Sequence, residues 1–214
     1  MKTTFFRLFF SLAVLLVAET VSADVIAGSV LRCPPQFQLS SVLVGLGGTW
    51  HEAYPFQVIP GGGWTIDHLD VPLYHYENMA GDKAAFSICA DVSGFPGAEI
   101  AAFSISNITT EQRVYSLAPS YVASPLQSNT NYWLVGWNAG VGQVNWNMDE
   151  QCGNYTRAYR TNGGGWVLQS GLGNMSAFAI EGSAVPEPFG MVLAGVGAIG
   201  LLAYAWKNRK MATF

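Results

Sequence analysis

Positive charge is scarce in this chain: ten of 214 residues are Lys or Arg, and none lies between Arg160 and Lys207. Over residues 24–184 five Lys and Arg face twelve Asp and Glu, a net charge of −7. No nucleic-acid partner is expected, because phosphate contacts need clustered basic side chains. Cysteine is nearly as rare, with Cys33, Cys89 and Cys152 scattered and no close pair among them. That spacing argues against a thiolate metal centre. A Gly-x-Ser-x-Gly elbow is missing, no cysteine has a histidine near it, and the carboxylates form no compact acidic motif. Nucleophilic and paired-carboxylate catalysis therefore lack a sequence signal, and neither an enzyme nor a cofactor is expected. Helical periodicity is nearly absent outside the two ends, and nothing repeats at a fixed period.

Glycine, aromatic residues and two long apolar runs are what the chain does have: 24 Gly, seven Trp, nine Tyr and twelve Phe. The first apolar run covers residues 8–18, follows Lys2 and Arg7, and precedes Val21-Ser22-Ala23. Small residues at those positions describe a signal-peptidase site, with cleavage before Asp24 and a signal peptide over residues 1–23. A permanent N-terminal anchor is the weaker alternative, since Glu19 cuts the run short of a span.

The second run, residues 189–206, carries no charge and is followed at once by Lys207, Arg209 and Lys210. As a helix it would rise about 27 Å, close to the hydrocarbon thickness of a bilayer. The basic tail then anchors the topology with the C-terminus cytoplasmic and the body exported. A simple stop-transfer helix, with Gly190, Ala194 and Ala198 as a small-residue contact face, is the plainer alternative. Ahead of the run stands Val185-Pro186-Glu187-Pro188. Its two prolines hold the backbone extended where the helix would leave the membrane, open to a processing enzyme.

The order of Val-Pro-Glu-Pro, hydrophobic helix and short basic terminus over residues 183–210 resembles the PEP-CTERM sorting signal. That resemblance implies handling by exosortase, a membrane-embedded cysteine transpeptidase-like enzyme, after signal peptidase has acted. It implies transient anchoring in the inner membrane and delivery to the cell envelope, outer surface or extracellular matrix.

Between the two ends lie about 160 residues, one ordinary domain. Short segments rich in β-branched and aromatic residues alternate with turn clusters every eight to twelve residues, predicting an all-β, antiparallel, jelly-roll-like sandwich over residues 24–182. The strands are expected at 50–59, 64–71, 84–91, 100–105, 114–117, 131–138, 143–148, 157–161 and 177–181. Gly61-Gly62-Gly63, Ser93-Gly94-Phe95-Pro96-Gly97 and Asn162-Gly163-Gly164-Gly165 are the natural turns among them. Alternation puts Phe86, Ile88 and Ala90 on one face, and sets Trp133, Val135 and Trp137 against Tyr132 and Leu134. The latter strand is apolar on both faces and is expected to be central.

The run from Phe86 to Gly97, the stretch Leu126 to Thr130 leading into Asn131-Tyr132-Trp133-Leu134-Val135, and the closing Ser176-Ala177-Phe178-Ala179-Ile180 together resemble the choice-of-anchor R type domain. Such domains are β-rich modules of bacterial surface proteins. The two resemblances imply a non-enzymatic structural or adhesive role tied to biofilm or exopolysaccharide.

Few residues invite a site. Export favours one disulfide and one remaining thiol. All three pairings are open, and Cys33 with Cys152 is preferred because both lie in turn-rich surroundings while Cys89 lies in an expected strand. His68-Leu69-Asp70 with His75 raises a metal reading, weighed against a half-exposed polar strand face interrupted by Pro72; no metal is expected. His51 and Glu52 should point to opposite faces. Asp91-Val92-Ser93-Gly94 offers oxygens for calcium or, more simply, an Asx-type turn. Trp50, Trp64, Trp133, Trp137, Trp146 and Trp166 are core or strand filler, or platforms on which a sugar ring stacks. Trp146 and Trp166, read as loop-edge residues, are the candidates for a carbohydrate-binding module, the alternative function. A secreted hydrolase is the third reading.

Overall fold

A computed structural model describes residues 23–28, 43–47, 49–75, 83–140, 143–149, 154–172, 175–185, 195–197, 199–202 and 204. In chain order the strands are β1 (Asp24–Gly28), β2 (Leu43–Gly47), β3 (Trp50–Gln57), β4 (Gly63–His75), β5 (Lys83–Val92), β6 (Phe95–Ser106), β7 (Arg113–Leu117) and β8 (Tyr121–Val122). They continue as β9 (Leu126–Gln127), β10 (Asn131–Asn138), β11 (Gln143–Asp149), β12 (Asn154–Thr161), β13 (Val167–Leu172), β14 (Met175–Ser176) and β15 (Ala179–Val185). Their pairings are antiparallel throughout.

The strands form two sheets. Seven run in the order β13-β12-β3-β10-β5-β6-β8, while the eight-stranded sheet follows β1-β15-β4-β11-β14, with β2 on β11 and β7 and β9 on β4. The core lies between them: Tyr54, Phe56, Phe86, Ile88, Phe103 and Leu134 from one sheet meet Leu69, Val71, Leu73, Val144, Trp146 and Ile180 from the other, with Phe178 just ahead of β15. The protein is thus an antiparallel all-β sandwich. Strict alternation selects those side chains, since period-two strands bury every second residue. As expected, β10 is the middle strand of its sheet, with Tyr132 and Leu134 in this core and Trp133 and Val135 buried on the opposite face.

Gly136 shows how tightly the layers close. A Cβ there would stand 2.8 Å from Phe86 Cε1 and 2.9 Å from Trp146 Cζ3, closer than carbon atoms pack, so only glycine lets the tryptophan reach across.

Several boundaries differ from the sequence reading. The reversal after β5 uses only Ser93 and Gly94, at φ 55 and 84, a pair of left-handed residues that fits a two-residue hairpin. Phe95, Pro96 and Gly97 already belong to β6. The strand expected at 64–71 runs from Gly63 to His75. Its register partners on β15 end at Asp70 and those on β11 begin at Leu73, so Pro72 falls between two ladders, where a residue without an N–H fits. Strand β15 extends past the expected domain end at 182 to Val185, which pairs with Gly63.

Residues 1–22 of the expected signal peptide, Cys33, Cys152, Pro186, Glu187, Pro188, Lys207, Arg209 and Lys210 lie outside the described residues. Within 189–206 the described residues are helical. Among the described residues no helix is long and apolar enough to cross a membrane.

Candidate functional site

The outer face of the seven-stranded sheet is not an ordinary solvent face. Its register sets Arg160 of β12 opposite His51 of β3, and His51 opposite Trp137 of β10. One row on, Ala158, Ala53, Val135 and Ser87 follow one another across four strands. A third row places Trp133 beside Cys89 and Cys89 opposite Glu99. Small side chains occupy the middle of this grid and large ones its margins, so the face is hollow. Ala53, Ala158, Val135, Cys89 and Trp133 make a buried floor, with Trp137 and Trp166 packed against it. The resulting groove has a volume of about 330 Å³.

The wall nearest β13 comes from the β12–β13 hairpin. Asn162 and Gly163 turn the chain with φ 52 and 70, and the Gly164 N–H donates to the Thr161 carbonyl at 2.9 Å. Thr49 and Asn162 are joined by a side-chain hydrogen bond that ties the hairpin to the start of β3. Trp166 is thereby held at the groove with the Arg160 guanidinium carbon 4.6 Å from its ring centroid, a cation–π contact.

On the next strand the His51 ring stacks on Trp137, with centroids 5.3 Å apart and planes 16° from parallel. Burial, and after it the Arg160 charge, holds the His51 pKa below the ordinary histidine value of 6.5. The ring is therefore neutral at neutral pH. Its Nδ1 lies 3.5 Å from Arg160 Nη2, which can only donate, an arrangement that suits the tautomer with its proton on Nε2.

The opposite wall is made by Ser87 and Glu99, whose hydroxyl donates to the carboxylate. Cys89 is a free thiol beneath them. Burial first, and the Glu99 charge second, push it up to about 11, so it stays protonated and is a poor nucleophile. The groove combines two indoles, an arginine, a neutral imidazole, a carboxylate and a hydroxyl, a set suited to holding a ring that bears hydroxyl groups.

Of the two tryptophans read as loop-edge ligand platforms, only Trp166 reaches this groove. Trp146 is a correction: it is fully buried in the sandwich core, and its Nε1 donates to the Ala177 carbonyl at 2.8 Å. The reason is local. Asn145-Trp146-Asn147 is not a loop edge but the middle of β11, paired with β2 and with β4, so Trp146 follows Val144 inward. Trp64 also packs into the core. Trp133 sends its Nε1 to Asp91 Oδ1 at 2.6 Å, and Asp91 Oδ2 accepts the Gly94 N–H at 3.4 Å. Asp91 thus serves the hairpin, the turn reading of that motif. Trp50 stacks on Tyr159 at 5.1 Å.

His51 and Glu52 do point to opposite faces, the first into the groove and the second into the interior. His68 and Asp70 share the outer face of the eight-stranded sheet, as their spacing requires. Glu181, the register partner of His68, joins them with Oε2 3.2 Å from His68 Nε2, while Asp70 accepts from Ser116 Oγ at 2.6 Å. These are partly exposed polar neighbours along one face of the sheet.

Sequence reasoning missed Arg160, His51, Glu99, Ser87 and Cys89 as neighbours. Only β-sheet register unites residues so far apart in the chain, although a strand with tryptophan on its solvent face already pointed to this side. No family model and no curated protein matches the chain.

Proposed function

We propose that the chain is an exported, non-enzymatic adhesive protein of the cell surface or extracellular matrix whose jelly-roll-like sandwich binds carbohydrate through the groove beside Trp137 and Trp166. The observation that carries the reading is the groove itself: two partly exposed tryptophans and four polar side chains converge on about 330 Å³ of open space. That is the low end of the roughly 300–1,000 Å³ range of small-molecule sites, and suits a sugar unit or two. Among the described residues that line the groove Glu99 alone carries a carboxylate, whereas a glycosidase flanks its bond with a pair, which favours retention of a glycan over its hydrolysis.

Trp166→Ala and Trp137→Ala should each weaken glycan binding at least tenfold, about 1.4 kcal/mol, measured by quenching of tryptophan fluorescence. Silence across a broad panel of glycans in the unaltered protein would refute the site.

Export and sorting form the second part of the proposal, through a signal peptide over 1–23 and an exosortase-like enzyme acting at Val185-Pro186-Glu187-Pro188. Two observations support it. Val185 is the last residue of β15, and the Pro186 that follows it in the sequence has no N–H to donate to a ladder, which suits the motif to the edge of the sandwich. Beyond it, helical Val196, Ile199, Leu201, Leu202 and Tyr204 are 61–68% exposed, apolar side chains that the protein's own core does not take up. A bilayer is a suitable solvent for them. Replacing Pro186 and Pro188 together by Ala should leave a full-length, membrane-retained form in the native cell, seen by intact mass. Normal trimming of that variant would reduce the tripeptide to a spacer.

A further inference from the structure

The two arginines of β12 are treated very differently. Arg157 bonds to Glu52 and, through Nε at 3.0 Å and Nη2 at 2.7 Å, to Gln169 Oε1. Arg160 forms no salt bridge among the described residues. Its Nε is buried without a hydrogen-bond partner, and its Nη2 has only the long 3.5 Å contact to His51. Yet this guanidinium is not loose: it lies over Trp166 at the groove wall. A positioned, partly dehydrated guanidinium with unspent donors is a site for a planar anion, since charge-assisted bonds to carboxylate are about twice as strong as neutral ones.

We propose that the groove takes a carboxylated sugar, a hexuronate unit of an acidic polysaccharide, with its carboxylate on Arg160 and its hydroxyl groups toward Glu99 and Ser87. The inference rests on the reading of the groove as a carbohydrate site and adds the class of sugar and its orientation. Orientation follows from charge: Glu99 on the far wall repels a carboxylate and accepts hydroxyl protons, so the acid end is directed to Arg160. His51 supplies a neutral N–H beside the guanidinium and brings no second positive charge. The acidic body beyond the groove opposes long polyanions, but at 0.15 M salt charges farther than about 8 Å are largely screened, so a short oligomer reports the local contact.

Trigalacturonate and its fully methyl-esterified counterpart make the decisive pair, titrated calorimetrically at 0.15 M salt into the full chain held in mild detergent. The acid should bind at least tenfold more tightly than the ester. Arg160→Gln should bring the two to equal affinity, and Arg160→Lys, which keeps the charge but not the fork, should retain part of the preference. An ester that binds as well as the acid overturns the uronate assignment while the carbohydrate groove stands. Binding of neither overturns the uronate assignment, and the broad glycan panel then decides whether the carbohydrate groove stands. An acid preference that survives Arg160→Gln also overturns the proposal, because the carboxylate is then recognised elsewhere. If Arg160→Gln loses both ligands, the Lys variant decides: a remaining acid preference supports the assignment, and its absence overturns it.

Discussion

Replacing Trp146 by Ala should destabilise the protein by about 3–5 kcal/mol, a large share of the roughly 5–15 kcal/mol by which domains of this kind are stable. The side chain crosses from the eight-stranded sheet into the seven-stranded one. It meets Tyr54 at 5.4 Å and Phe86 at 5.1 Å between ring centroids, both edge to face, and Phe178 at 6.4 Å. Removing it opens a cavity bounded by strands of both sheets, which hydrogen bonding prevents from collapsing inward. It also strips the Ala177 carbonyl of the indole N–H at 2.8 Å, leaving a buried acceptor unmet. Urea unfolding followed by near-ultraviolet circular dichroism should show a lower midpoint for Trp146→Ala, and a smaller loss for Trp146→Phe, which keeps a ring but not the donor. A loss below about 1 kcal/mol for the Ala variant would contradict the core position. Folded Trp146→Phe should bind glycan as the unaltered chain does. Stability and binding thus separate the two tryptophans that sequence grouped together.

That grouping shows where sequence stops being legible. The sandwich could be read because its signals are local: turn glycines at short intervals, alternation in Phe86-Ser87-Ile88, and a strand apolar on both faces at Tyr132 to Trp137. Strands with weaker local chemistry escape such a reading. In β13, Val-Leu-Gln-Ser-Gly-Leu, Val167 and Leu168 are exposed and no alternation marks the strand, because it lies at the end of its sheet and packs on one neighbour. The β1 strand is five residues long and follows directly on the expected cleavage site. Pro72 resembles a strand end in sequence, although it sits between two partner strands. The groove was less legible still. Trp166 and the outward face of β10 could be named, but Arg160 and His51 are 109 residues apart and meet only through β12–β3 pairing. Nothing in a one-dimensional pattern distinguishes the paired Arg157 from the unpaired Arg160, three residues later and on the other face.

Arg157→Ala should be costly in a way that depends on pH. Glu52 has a side chain 1% exposed, and it is reached by Trp50 Nε1 at 2.5 Å and Arg157 Nη1 at 3.4 Å. Burial raises its pKa above the ordinary 4.5, and the Trp50 bond and then the Arg157 charge hold that rise in check. Removing one member of a buried pair typically costs about 3–5 kcal/mol, because the other charge is left uncompensated. The sign follows from proton binding. A carboxyl with a raised native pKa holds its proton more tightly when folded, so its contribution is fully present below about 4.5 and is lost as pH rises through the raised value. Without Arg157 the native pKa rises further and the loss deepens. The stability gap between the unaltered protein and Arg157→Ala should therefore be smallest at and below the ordinary carboxylate value of 4.5 and widen as pH rises through the raised native values, measured as the difference in urea unfolding free energy. In a Glu52→Gln background the same arginine change should cost far less, since no buried charge remains to be stranded. A gap that stays level across this range, or a cost undiminished once a neutral amide replaces the carboxylate, would mean that Arg157 serves the sandwich through its packing and its bonds to Gln169 rather than through Glu52.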